Sequence, residues 1–279
     1  MDNKKVEDNF NIIDKKITEL TNKGEYKKAL NYLDEIENKD KEIIIPFNIN
    51  RAELYYNLKD YSKALEVCEK GIKTNFMPYR FWEIKSRIFE ELEEFEKAIE
   101  SRREQWYGWP GNLDDVADAW VYDCDKLIEK DPKNLEAYYK KAEACVYARM
   151  GIAPHPVEVF EKLIEISPNN TDFIKEVIDR FENTEFFSDD NLGQEAIGFL
   201  HAKIGEYEKA VECFEKYYED DWFGEPFDKF WLLKIDCLKK LKKYDEALEN
   251  CKKALGLFKG NKEIIKEKQQ IENILSKSK

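Results

Sequence analysis

The chain has little of what strands, tight loops and many enzymes need. Its 279 residues include only 11 Gly and 8 Pro, few for a protein built of strands and turns. It has two histidines. His155 sits between two prolines, His201 falls in a helical stretch, and no nucleophile motif accompanies either. Both are expected to be structural. Cys68, Cys124, Cys145, Cys213, Cys237 and Cys251 stand apart without a C-x-x-C pair, the pattern of reduced thiols rather than of a zinc site or a disulfide scaffold. A glycine-rich phosphate loop is missing too. No run approaches the roughly 18 apolar residues of a membrane span, and no apolar signal core follows the charged opening segment. Positive charge is scarce: 46 Lys and Arg face 59 Asp and Glu, a net −13 that argues against nucleic acid as the main partner. These absences lead us to expect a cytoplasmic chain that is not an enzyme, binds no metal or cofactor, and meets neither nucleic acid nor membrane.

What is present is aromatic mass and a repeat. The 17 Phe, 15 Tyr and 6 Trp are enough to bury, which excludes disorder. Five segments share one pattern, an aromatic, two polar residues, Ala and an aliphatic: Tyr26 to Leu30, Tyr61 to Leu65, Phe95 to Ile99, Tyr207 to Val211 and Tyr244 to Leu248. The alanines are Ala29, Ala64, Ala98, Ala210 and Ala247, with gaps of 35, 34, 112 and 37. Apolar residues then recur at helical spacing, as in Leu30, Leu33 and Ile36 or Leu248, Cys251 and Leu255. Another helix precedes each turn. With each Ala placed at position twenty of a 34-residue unit, Trp82 and Trp231 fall at position four, Gly198 at eight, and Tyr55, Phe89 and Leu238 at eleven.

In these residues the chain resembles the tetratricopeptide repeat family, with degenerate copies: position eight is Ile17, Ala52, Ser86 and Ile235 where the family prefers a small residue. The resemblance implies an all-α fold, a right-handed α-solenoid of antiparallel helix pairs wound into a superhelix. About fifteen helices are expected. Three repeats are expected over 6–107, an aromatic insert and extra helix over 108–133, and a variant repeat and odd helix over 134–187. Two repeats over 188–257 and a capping helix over 258–279 complete the solenoid. Cys68, Cys124 and Cys251 fall near position twenty-four, a core site.

The resemblance also implies a non-catalytic scaffold that binds a peptide or partner helix in a concave groove lined by the first helices. Carried over position by position, the groove residues are Asp14, Thr18, Ile49, Glu53, Tyr56, Arg80, Glu83, Arg87, Glu90, Tyr139, Glu143, Glu195, Phe199, Lys229, Leu232 and Asp236. Asp14 and Thr18 stand where one subgroup places a Lys and Asn clamp for acidic C-termini. The mixed, slightly acidic groove instead fits a segment with basic and apolar residues. Two segments, Trp106 to Pro110 and Trp222 to Pro226, read Trp–aromatic–Gly–any–Pro. Trp106, Trp109 and Trp222 form a candidate aromatic platform for a partner, the alternative being a plug between helix pairs. Two other readings compete. Protein prenyltransferase alpha subunits also stack helix pairs around a Trp and Arg signature, to which Tyr79-Arg80-Phe81-Trp82 with Arg87 is faintly similar. A sensor array acting through an effector chain is the other.

Overall fold

The computed structural model describes residues 3–39, 44–74, 76–108, 114–148, 153–184, 191–218 and 228–277. Among them are fifteen α-helices and one short 3-10 turn, and no strand. The helices are α1 (Asn3–Asn22), α2 (Tyr26–Glu37), α3 (Asn48–Asn57), α4 (Tyr61–Lys73), α5 (Pro78–Glu91), α6 (Phe95–Gly108), α7 (Asp114–Lys130) and α8 (Leu135–Tyr147). They continue as α9 (Pro156–Ile166), α10 (Thr171–Glu182), α11 (Asn191–Lys203), α12 (Tyr207–Tyr218), α13 (Asp228–Lys240), α14 (Tyr244–Leu257) and α15 (Lys262–Lys277). The fold is the all-α helical repeat expected from the sequence.

The repeat is visible in the backbone. At the same step of all five turns, five residues before the alanine, φ is positive: Gly24 (72°), Lys59 (58°), Glu93 (57°), Gly205 (84°) and Lys242 (60°). Each turn also carries the same pair of hydrogen bonds. In the second turn, the Asp60 N–H donates to the Tyr55 carbonyl at 3.0 Å and the Lys59 N–H to the Tyr56 carbonyl at 2.8 Å. This left-handed cap satisfies carbonyls that a helix end would otherwise leave bare. Glycine suits it, yet three turns hold a residue with a Cβ. We expect Lys59→Gly/Lys242→Gly to stabilise the protein by about 1–2 kcal/mol, relieved strain outweighing the entropy cost of added glycine. A thermal melt at or below the wild-type midpoint would contradict this.

Contacts divide the chain into two compact units, residues 1–137 with 147–153, and residues 138–146 with 154–279. In the first, α1 to α7 pack each on the next, and α3 also touches α5. Ile13, Ile17 and Leu20 of α1 meet Ala29, Leu30 and Leu33 of α2, with Phe47 and Leu54 behind. Ala52, Ala64, Cys68, Phe81, Ile84 and Ile88 form the next layer. The alanines at position twenty are 0% exposed, as close helix approach requires. Helix α7 is part of this core: Trp120 and Cys124 are fully buried.

In the second unit, α11 packs on α9, α10 and α12, and α13 to α15 follow in series. Phe214, Phe230 and Trp231 join Ala210, Ala247 and Cys251, and the cluster closes with Ile264 and Ile271 of α15. Phe181 of the odd helix α10 meets Phe160 of α9 at 5.5 Å and Tyr139 at 5.8 Å.

Candidate functional site

The first helices of neighbouring repeats put equivalent residues side by side, and in the first unit this builds a polar wall. Glu53 and Arg87 are one repeat apart, on α3 and α5, and their side chains meet at 2.9 Å. The Arg87 guanidinium also lies 4.3 Å above the ring of Tyr56, a cation–π contact. Arg80 and Glu83 pair at 2.7 Å one turn earlier on α5. Ile49, Glu53, Tyr56, Arg80, Glu83 and Arg87 are all half-buried, whereas Ile84, Lys85, Ser86 and Ile88 of α5 are buried. Asp14 and Thr18 are exposed on α1. The wall therefore presents charge that is already matched, held on helices rather than loops.

Glu90, the next residue in this series, turns inward to a different cluster. Arg102 of α6 contacts Glu90 and lies 3.7 Å from Asp123 of α7, which is completely buried. Burial pushes the Asp123 carboxyl up to about 8, helped by the Glu90 charge and opposed by Arg102. This knot ties α5, α6 and α7 together.

In the second unit five of the positions named from the sequence converge. Glu195 and Phe199 on α11, and Lys229, Leu232 and Asp236 on α13, line one cavity of about 320 Å³. Its other walls are Val157 and Glu161 of α9, Lys203, Phe230 and Leu233, none of which the repeat register pointed to. Helix α9 lies in the variant repeat, where no alanine fixes the count. Tyr139 and Glu143 are placed otherwise. They are 6% and 2% exposed, and α10 covers Tyr139: Phe181 packs on its ring, and the Arg180 guanidinium lies 4.7 Å from it.

The aromatic segments divide likewise. Trp106 is half-buried with its ring 4.0 Å from that of Tyr147, which also stacks on Trp120 at 5.7 Å. The exposed member of this group is Tyr107, whose hydroxyl is 3.1 Å from that of Tyr147. Trp109 and Trp222 lie outside the described residues.

His201 is 2% exposed, with Nδ1 2.9 Å from Glu206 and Nε2 3.1 Å from Glu182. It ties α11 to the end of α10 and to the following turn. Cys68, Cys124 and Cys251 are fully buried. Burial raises the Cys68 thiol to about 12 and the Cys251 thiol to about 11, so neither is a nucleophile near neutrality. Among the described residues no group of three His, Cys, Asp or Glu side chains could hold a metal ion. No helix among them is long and apolar enough to cross a membrane.

The tetratricopeptide repeat family model matches the sequence three times, at residues 45–76, 195–219 and 229–261. No curated protein matches it. Solved structures that do include a tetratricopeptide repeat protein from Parabacteroides merdae, 17% identical over 94% of this chain and 98% of that one, with a TM-score of 0.31. The TPR2AB domain of yeast Sti1, solved in complex with pHSP90, is 18% identical over 94% of this chain and 99% of its own, with a TM-score of 0.39. A tetratricopeptide protein of Thermus thermophilus is 15% identical over 81% and 98%, with a TM-score of 0.35.

Proposed function

This chain is a tetratricopeptide repeat protein, and we propose from that premise that it is a non-catalytic scaffold whose first helices form the working wall for a peptide or helix of a partner protein. The observation that carries the reading is the pairing of Glu53 with Arg87, one repeat apart, beneath which Tyr56 lies. In the first unit, equivalent positions of these two successive repeats thus lie side by side on one surface. Such a surface is rigid, because stacked helices position it, and it offers both charges and a ring. Interfaces draw much of their energy from Tyr and Arg at positions of this kind.

Reversing two charges tests the reading. Arg80→Glu/Arg87→Glu sets carboxylates against Glu83 and Glu53 and removes the cation above Tyr56. Both arginines are partly exposed, at 38% and 33% of their side chains, so the fold should persist. In affinity capture from the source cells, the double variant is expected to lose at least one partner that the wild type retains, while its circular dichroism stays the same. An unchanged partner list with an intact fold would move the working surface elsewhere.

A further inference from the structure

Buried charge recurs at the junctions between repeats, and its polarity follows a rule. A cation thirteen residues before one repeat alanine meets an acid five residues after the previous alanine. Arg51 of α3 lies 3.1 Å from Asp34 of α2, Lys85 of α5 contacts Glu69 of α4, and Lys234 of α13 lies 3.9 Å from Glu215 of α12. These are the three places where one regular repeat follows another. The cation is the covered member each time. Its side chain is 13%, 9% and 8% exposed, against 58%, 55% and 59% for the acid. Burial pulls the Lys234 ammonium below its ordinary range and the Glu215 charge opposes this, so the covered cation depends on the acid that reaches over it.

The polarity turns round where a regular repeat is followed by something else. Five residues after their alanines, the third and the last repeat carry Arg103 and Lys252 in place of an acid. The helices that follow, α7 and α15, bring the acid themselves. Asp123 of α7 lies 3.7 Å from Arg102 of α6, and Glu267 of α15 contacts Lys239 of α13. Helix α11 follows no regular repeat, and Ile197 stands where the cation would be. Apolar burial makes no such distinction, because the hairpins share their alanine and aliphatic positions. Charge does. Lys85 of α5 stacked on α6 would meet Arg103, and Asp123 of α7 stacked on α4 would exchange Arg102 for Cys68, beside Glu69. Like charges beneath a helix contact repel far more strongly than on the surface.

We propose that these pairs select which helix stacks on which: an acid on a second helix accepts the first helix of a regular repeat, and a base on the preceding repeat accepts the helix that ends the run. The selection concerns the chain's own hairpins and stands whether or not the scaffold reading does. A buried ion pair gains little over an apolar contact of the same size, and setting register is the best-attested use of one. A polar residue in the seam of a coiled coil fixes partner and register in the same way, at some cost in stability. Specificity then comes from the repulsion in wrong stacks as much as from the attraction in the right one. Leaving the acid more than half exposed keeps the cost low, since only the cation gives up its water.

Two variants of the full chain test this at the second junction, Glu69→Lys with two cations there and Lys85→Glu with two acids. Urea unfolding followed by circular dichroism gives the ratio of folded to unfolded chain. Each single reversal is expected to cut that ratio about thirtyfold or more. The exchange Glu69→Lys/Lys85→Glu should recover most of the loss. Glu69→Gln/Lys85→Glu, which removes the repulsion without supplying a mate, should not. Glu66→Lys, beside the exposed Lys70 on the same helix α4, should change the ratio less than about threefold. Selection, as distinct from stability, is read by refolding the two single-reversal chains together, one of them labelled with nitrogen-15. Matched pairs then exist only between the chains, so a species holding one copy of each should form by exchange of hairpins and be seen by native mass spectrometry. Single reversals no worse than Glu66→Lys, an exchange no better than its singles, or a mixture with no mixed species would overturn the proposal.

Discussion

Trp120→Ala is expected to lower the stability of the first unit by about 3–5 kcal/mol, the usual loss when a large buried aromatic is truncated. Trp120 is 0% exposed on α7, and its ring stacks on Tyr147 at 5.7 Å, with the Trp106 ring 4.0 Å from the same tyrosine. The size of the effect depends on whether α7 is core or ornament. A helix laid on the surface would lose little, and a substitution there would fall within about 0.5 kcal/mol. Trp120→Phe keeps a stacked ring and should cost less than half as much. Urea unfolding followed by circular dichroism separates the cases. A midpoint for Trp120→Ala equal to that of the wild type would remove α7 from the core.

The second expected result is that Gly198→Ala destabilises the other unit, although alanine is the better helix former. A Cβ at Gly198 would lie 2.5 Å from Phe214 Cε1 and 2.9 Å from its Cδ1. Phe214 cannot retreat easily: it is fully buried and meets Phe230 edge-on at 5.3 Å. Replacing a mid-helix glycine by alanine gains about 0.5–1 kcal/mol from propensity. Overpacking a filled core costs about 1–3 kcal/mol, so the clash wins. Adding Phe214→Leu should return part of the loss, since the smaller side chain vacates the space the new methyl needs. If Gly198→Ala alone melts above the wild type, the ring is freer to move than this packing implies.

This contact also explains why the repeats look degenerate. Positions eight and twenty-four of one unit face each other across the helix pair. Where position eight is Gly198, position twenty-four is Phe214; where it is Ile17 or Ile235, the partner is Leu33 or Cys251. What fits at one position depends on the residue across the helix pair, so a single-position motif misses it. The alanine at position twenty was legible because it is the same residue in all five segments. The five turns were legible by register but not by residue, since Lys59, Glu93 and Lys242 occupy a conformation that glycine usually marks.

The groove was legible only in part, for a similar reason. Positions on α3, α5, α11 and α13 could be counted from an alanine, and the structure gathers Glu53, Tyr56 and Arg87 in one unit and Glu195, Phe199 and Asp236 in the other. The α9 walls of the cavity, Val157 and Glu161, follow no such count. Nor did any local signal say that α10 would pack against Tyr139, because a contact between residues 139 and 181 leaves no mark on either segment alone. His155 sits between prolines in the sequence, and its role at the start of α9 emerged only with the Val157 N–H bonded to its ring.

The first helices, not the second, are expected to meet the partner. Site-specific photo-crosslinking tests it most directly. A photoreactive phenylalanine replaces Tyr56 on α3, Glu83 on α5 or, as the comparison, Lys70 on the second helix α4, where the side chain is 74% exposed. Irradiation in the source cells should join a partner protein to the chain from positions 56 and 83 and not from position 70. Crosslinks from position 70 alone would place the partner on the opposite face and contradict the account.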